Sequence, residues 1–255
     1  MARAGYAAKG VLYLLIGGLA AAGAADAGGR TTDSHGAFRV VHHQPYGSAW
    51  LGVLAVGLAG YAIWRLAAAF TDAECKGSGP AGLAVRAGYA ASGVVHAALT
   101  VAAVRLSLGI RESQRDAIRE WTARFLDAPL GQWLVGAAGV GIIGYGGRQL
   151  YRAWSGSIDR RLDLTGVGAD RQRWILGLAR FGVIARGIVF AIIGTFIIRA
   201  GLAADARKAG GIDDALRSLR TEWHSRLALG VVALGLASYG GFQFVRARYR
   251  TITPC

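Results

Sequence analysis

Six stretches of this chain contain no Asp, Glu, Lys or Arg: Gly10–Ala25, Val40–Trp64, Ala87–Val104, Ala128–Gly147, Gly187–Ile198 and Leu227–Val245. A helix that crosses a bilayer needs roughly 20 mostly apolar residues, or about 17 at the short end. Four of the six stretches reach that length unaided; the first reaches it by including Lys9 and the fifth by including Arg186. A helix of a soluble bundle carries charge along its outer face, and these stretches have none to offer. The pattern predicts an all-α polytopic membrane protein with six spans. Arg3 and Lys9 ahead of an apolar run imitate a cleavable leader. The same pattern opens later segments, so it is read as the first span. The net charge of +14 would point to nucleic acid in a soluble chain. Here it places arginines at membrane surfaces, against anionic headgroups, and nucleic acid is not an expected partner.

The second constraint is repetition. Gly136, Gly141 and Tyr145 share their spacing with Gly52, Gly57 and Tyr61 and with Gly230, Gly235 and Tyr239. A different motif opens the odd spans. Counting from Arg3, Arg86 and Arg180, the third residue is Tyr6, Tyr89 or Val183, the seventh is Gly10, Gly93 or Gly187, and the tenth is Tyr13, His96 or Phe190. Those offsets make a stripe on one side of a helix. A recurring stripe with glycine in it is expected to face protein, where glycine allows close helix contact. In the even spans, five residues turn a helix by about 140° and four by about 40°, so the two glycines are expected to serve different neighbours. Between the arms lie amphipathic connectors, marked by Ala37-Phe38-Arg39, Ala117-Ile118-Arg119 and Ala215-Leu216-Arg217. The first two are followed by Pro45-Tyr46-Gly47 and Pro129-Leu130-Gly131; the third lacks the proline, with Trp223 near its place. Ile118, Trp121 and Phe125 suit a short helix at the interface or capping the bundle.

The unit is therefore span, connector, span, taken three times: residues 1–70, 84–153 and 174–250, in one integral membrane domain. Each unit makes an even number of crossings, so all three insert the same way. That predicts a quasi-threefold arrangement about the membrane normal, unlike an inverted-repeat transporter. The side of the termini and linkers holds 16 Lys or Arg against 13 on the connector side. This asymmetry favours cytoplasmic termini. Cys75 and Cys255 would then lie in a reducing compartment and be unpaired.

The arginine-glycine-tyrosine openings, the Ala-apolar-Arg connectors and the proline-aromatic-glycine turns resemble the bacterial membrane family of domain-of-unknown-function number twelve hundred and six. The resemblance covers Arg3 to about Arg246 and departs at Val183 and at the absent third proline. It implies three repeats of a paired transmembrane helix in the bacterial inner membrane. It implies no activity, cofactor or catalytic residue.

Candidate sites follow from position. Arg3, Arg86 and Arg180 either snorkel to headgroups and cap helix ends, or form a ring of cations at the mouth of a central path. Lys9, Ser92 and Arg186 are equivalent and about 9 Å deeper by helical rise. No acid lies in the spans to pair with the two cations, so an anionic ligand or lipid headgroup stands beside plain snorkelling. His96 reads as a satisfied core histidine, and the want of a second intramembrane histidine argues against a haem site. His35, His42 and His43 with Asp33 are the one weak metal candidate, and neither a metal nor a cofactor is expected. No nucleophile setting or carboxylate pair suits an enzyme. Two functions remain. One is a small anion-favouring channel or transport protein; the other is a structural or accessory protein holding a partner protein, a second copy or an anionic lipid. A continuous wet lumen between the three stripes would favour the first.

Overall fold

The computed structural model describes residues 2–25, 31, 33–110, 117–156, 158, 162–165, 167–221 and 226–249. Glu112, Trp223 and Cys255 lie outside the described residues. The elements run α1 (Ala2–Ala24), α2 (Ser34–His42), α3 (Gly47–Phe70), α4 (Pro80–Ser107), α5 (Ala117–Leu126), α6 (Gly131–Trp154), α7 (Ala169–Leu202), a 3-10 turn at Ala206–Lys208, α8 (Ile212–Thr221) and α9 (Arg226–Tyr249). Five of them, α1, α3, α4, α7 and α9, are long and apolar enough to cross a membrane. The helix α6 has the 24 residues of α3 but does not join them. Its seven glycines, with Gln132, Tyr145 and Arg148, dilute its hydropathy.

Helix boundaries follow local chemistry. The helix α4 starts four residues ahead of the expected Ala84, on Pro80, which has no N–H to lose in a first turn. In the two proline-glycine turns, Tyr46 and Leu130 both take φ 60°, the left-handed region. A side chain on Gly47 would strike the His42 carbonyl, and one on Gly131 the Phe125 carbonyl. Each turn thus swings the chain from a connector into a long helix, and only glycine fits behind the swing. In the linker after α3, Asp72 accepts from the backbone N–H groups of Lys76 and Gly77 at 2.8 and 2.7 Å. Those bonds hold its carboxyl below the usual carboxylate range. Cys75 in the same linker is disulfide-bonded. This corrects the expectation of unpaired thiols, which rested on a small basic asymmetry; disulfides persist in oxidising compartments.

The long helices pack in a set order. Each odd arm lies against the even arm of the neighbouring repeat: α1 on α9, α4 on α3 and α7 on α6. All three contacts are made at the glycine seven residues after the opening arginine. A methyl group built on Gly10 would come within 3.0 Å of the Gly240 carbonyl oxygen, and one on Gly187 within 3.1 Å of the Gly146 carbonyl oxygen. One on Gly93 would meet the Leu66 side chain at 2.7 Å. Two contacts within repeats add to these, α1 with α3 and α7 with α9. Gly57 faces Ala8 and Gly235 faces Ala185, while Gly5 and Gly182 receive Tyr61 and Tyr239.

The corresponding pair in the middle repeat, α4 and α6, shares no such packing. Gly88 and Gly141 have nothing within 4 Å of a built side chain. Gly141 is therefore not a packing glycine here, contrary to expectation. Gly52 and Gly136 are likewise open, and Gly230 meets only the Ala24 methyl at 3.7 Å. The 140° turn between the paired glycines carries the first of them off the helix contact. Connectors show the same asymmetry. Phe38 on α2 and Leu216 on α8 are buried, whereas Ile118, Trp121 and Phe125 on α5 stay exposed.

Placing a leucine at Gly57 therefore forces α1 from α3, while one at Gly141 enters open space. Overpacking of this kind costs about 1–3 kcal/mol. Thermal unfolding in detergent should show a lower Tm for Gly57→Leu and none for Gly141→Leu; equal losses would contradict the described packing.

Candidate functional site

The residues ten after each opening arginine meet the motif tyrosine of the neighbouring repeat. Tyr13 lies edge-on to Tyr239 at 4.8 Å between ring centres, His96 lies 4.5 Å from Tyr61, and Phe190 lies edge-on to Tyr145 at 5.3 Å. The stripes thus face protein. Their spacing sets three aromatic pairs at one level of the bundle, and the cations enter between them.

Lys9 is 3% exposed and Arg186 is 6% exposed. Lys9 Nζ donates to the Tyr61 hydroxyl at 3.2 Å and lies 4.8 Å from the Tyr61 ring centre. Arg186 donates from Nε to Tyr13 and from a terminal nitrogen to Tyr145, both at 3.0 Å. Its guanidinium also sits 4.5 Å from the Phe190 ring centre and 5.0 Å from that of Tyr239. Among the described residues, neither cation has a carboxylate within ion-pair distance. Isolated charges cost several kcal/mol each to bury. Tyrosine hydroxyls and ring faces offset part of that, a desolvated cation–π contact contributing about 2 kcal/mol. Ser92, the third equivalent, is half-buried and brings no charge.

A second tier, nearer the termini, was not singled out from sequence. Arg65, one turn beyond Tyr61, donates to the same Tyr61 hydroxyl at 2.8 Å and stacks on the Tyr89 ring at 4.7 Å. Arg246 stacks on Tyr6 at 4.6 Å. Gln243, in the register position of Arg65, is fully buried, and its side-chain Nε2 has no partner. The signal for this tier was the cation four or seven residues after a motif tyrosine. That spacing places both on one helix face.

The other candidates separate. Arg86 donates to the Ala69 and Phe70 carbonyls at 2.8 and 2.9 Å, capping the end of α3. Arg3 and Arg180 are exposed. The three do not join the buried centre. His96 is buried, with Nδ1 2.7 Å from the Ser92 carbonyl, as a satisfied core histidine should be. Asp33 caps α2 by accepting from the Gly36 N–H at 2.9 Å, and among the described residues no group of three potential metal ligands is gathered. Tyr13, Tyr61, Tyr239, Lys9 and Arg186 are all buried.

This geometry defines a class: a helical membrane protein built of three tandem repeats around buried, acid-free cations. The chain belongs to the family described as Domain of Unknown Function (DUF1206), which it matches three times, over residues 4–72, 87–156 and 181–250. It is similar to an uncharacterised protein, YxxB, of Bacillus subtilis (strain 168), at 34% identity over 251 residues, 98% of this chain and 90% of that one. No solved structure matches.

Tyr61 is the shared acceptor for Lys9 and Arg65, so removing its hydroxyl strands two donors at once. Leaving a buried donor unsatisfied costs about 1–3 kcal/mol. Denaturant unfolding in detergent should place Tyr61→Phe in that range and Tyr151→Phe, on an exposed residue, at no change; equal effects would deny the centre its role.

Proposed function

We propose that this is a non-enzymatic, six-helix membrane protein of quasi-threefold build whose buried cations hold an anionic, phosphate-type group carried on a lipid. The observation that supports it is the state of Lys9 and Arg186: both are buried, and hydroxyls are their polar partners. Charges held this way favour any anion that can reach them, because the attraction acts where water does not screen it. The orphaned amide of Gln243 supplies a further donor. The burial of the aromatic and cationic side chains between the stripes favours holding over conduction, and the charge-free stretches hold no carboxylate pair for acid–base chemistry. The basic excess on the side of the termini supports their placement at the cytoplasmic face of the bacterial inner membrane. The disulfide at Cys75 argues for the opposite placement, and reporter fusions at the C-terminus distinguish the two.

The test is reconstitution. Phosphatidylglycerol should raise the Tm of the detergent-solubilised chain relative to phosphatidylcholine, because a ligand that binds the folded state stabilises it. The increment should vanish in the Lys9→Met, Arg186→Met double variant. Inorganic phosphate alone should give a smaller increment, since it lacks the acyl chains. Anion flux into proteoliposomes that Lys9→Ala and Arg186→Ala abolish would overturn this reading in favour of a channel.

A further inference from the structure

The two sister interfaces show what α4 and α6 leave undone. On α4, Val95 is 55% exposed, while its equivalents Leu12 and Val189 are 2% exposed. On α6, Tyr145 is 39% exposed, against 0% for Tyr61 and 3% for Tyr239. Gly88 and Gly141, one on each helix, have nothing within 4 Å of a built side chain. The space between these two long helices, which share no packing like that of their sisters, is a seam bordered by small and apolar groups.

A difference in chemistry accompanies the difference in packing. In the first and third repeats, a cation lies over the tyrosine of its own repeat: Lys9 at 4.8 Å from the Tyr61 ring centre, Arg186 at 5.0 Å from that of Tyr239. In the middle repeat that position is Ser92, too short and uncharged to reach Tyr145. The Tyr145 hydroxyl instead accepts from Arg186 of the next repeat at 3.0 Å. The inner end of the seam on α6 is therefore a tyrosine hydroxyl backed by a guanidinium, and α4 carries Ser92 at the repeat-equivalent level. Neither α4 nor α6 contains Asp or Glu, and at the end near the termini α6 carries Arg148 and Arg152.

We propose that this seam is a lipid crevice. It takes one anionic phospholipid from the leaflet on the side of the termini, with an acyl chain between α4 and α6 and the phosphate directed to Ser92, Tyr145 and Arg186. The proposal rests on the anion-holding reading above and supplies its entry route. Charge complementarity selects the occupant. An apolar slot in the bilayer admits acyl chains of every lipid, but a slot ending on acid-free cations retains those with net negative headgroups. A zwitterionic lipid gains the same apolar contact and little of the electrostatic one.

Native mass spectrometry of the full chain, purified with equal phosphatidylglycerol and phosphatidylcholine, reads this directly. Wild type should retain one phosphatidylglycerol per chain, in about tenfold preference, the factor that roughly 1.4 kcal/mol of differential binding gives. Gly141→Trp fills the slot and should abolish retention, while Val56→Trp, on an exposed face of α3, should leave it unchanged. Tyr145→Phe and Arg186→Gln should erase the preference without changing how much total lipid is carried. If Arg186→Gln erases the preference but Gly141→Trp does not affect retention, the anion site stands and the crevice falls. If the two lipids are retained equally by wild type, both fall. A thiol-reactive cross-linker on the Ala91→Cys, Gly141→Cys double variant gives a second reading. Added phosphatidylglycerol should suppress a link within one chain about tenfold, a factor again equal to roughly 1.4 kcal/mol. A link that forms equally without regard to lipid would show that α4 simply closes on α6. A link between chains would make the seam a contact between copies. Either result overturns the crevice.

Discussion

Backbone-to-backbone approach at glycine is the constraint on which the rest of the molecule depends. In lipid there is no hydrophobic drive between helices, because the tails are as apolar as leucine; association comes from van der Waals contact and hydrogen bonding. Gly10 against Gly240 and Gly187 against Gly146 bring main chains together closely enough to set the rotation of both helices. Once that rotation is set, residues one turn further along are aimed inward together. Tyr13 then falls on Tyr239 and Phe190 on Tyr145, and the two deep cations have nowhere to go but between the rings. A larger residue at either glycine would change the angle of a whole arm, not merely its local fit.

The buried centre follows a logic unlike that of an ion-paired core. Breaking a buried pair leaves a charge stranded, whereas among the described residues Lys9 and Arg186 have no ion pair to break. Neutral hydroxyls and ring faces provide diffuse negative potential from several directions. Such an environment tolerates a cation without cancelling its charge. Arg65 and Arg246 extend that potential toward the membrane surface, each over a ring of its own, Tyr89 and Tyr6.

Much of this was legible in the order of the residues. The charge-free stretches marked the six long helices, five of which are apolar enough to cross a membrane, and the triplicate spacing marked which positions correspond. Pro45-Tyr46-Gly47 and Pro129-Leu130-Gly131 announced a turn whose geometry then proved to need glycine for clearance. Lys9 and Arg186 were found by counting from an arginine. What counting could not supply was the neighbour. Gly52 and Gly136 look equal to Gly57 in spacing, yet the helix turns them away from the contact. Arg65 and Arg246 gain their meaning from tyrosine hydroxyls and rings that only tertiary structure brings near. The asymmetry of the middle repeat was hidden most completely. Gly88, Ala91, Gly141 and Tyr145 match their sisters in kind, and Ser92 stands where the other two repeats have Lys9 and Arg186.

The pairing of α1 with α9 has a consequence for how the molecule is made. Gly10 packs on Gly240 and Phe244, residues that leave the ribosome more than two hundred codons after it. Until then the first arm stands in the bilayer with the face of Gly10 uncovered, although Tyr61 of α3 can already meet its lysine. The nascent chain must therefore wait, half-assembled, for its own last helix, and any factor that shelters early membrane segments has its longest task at the very first one.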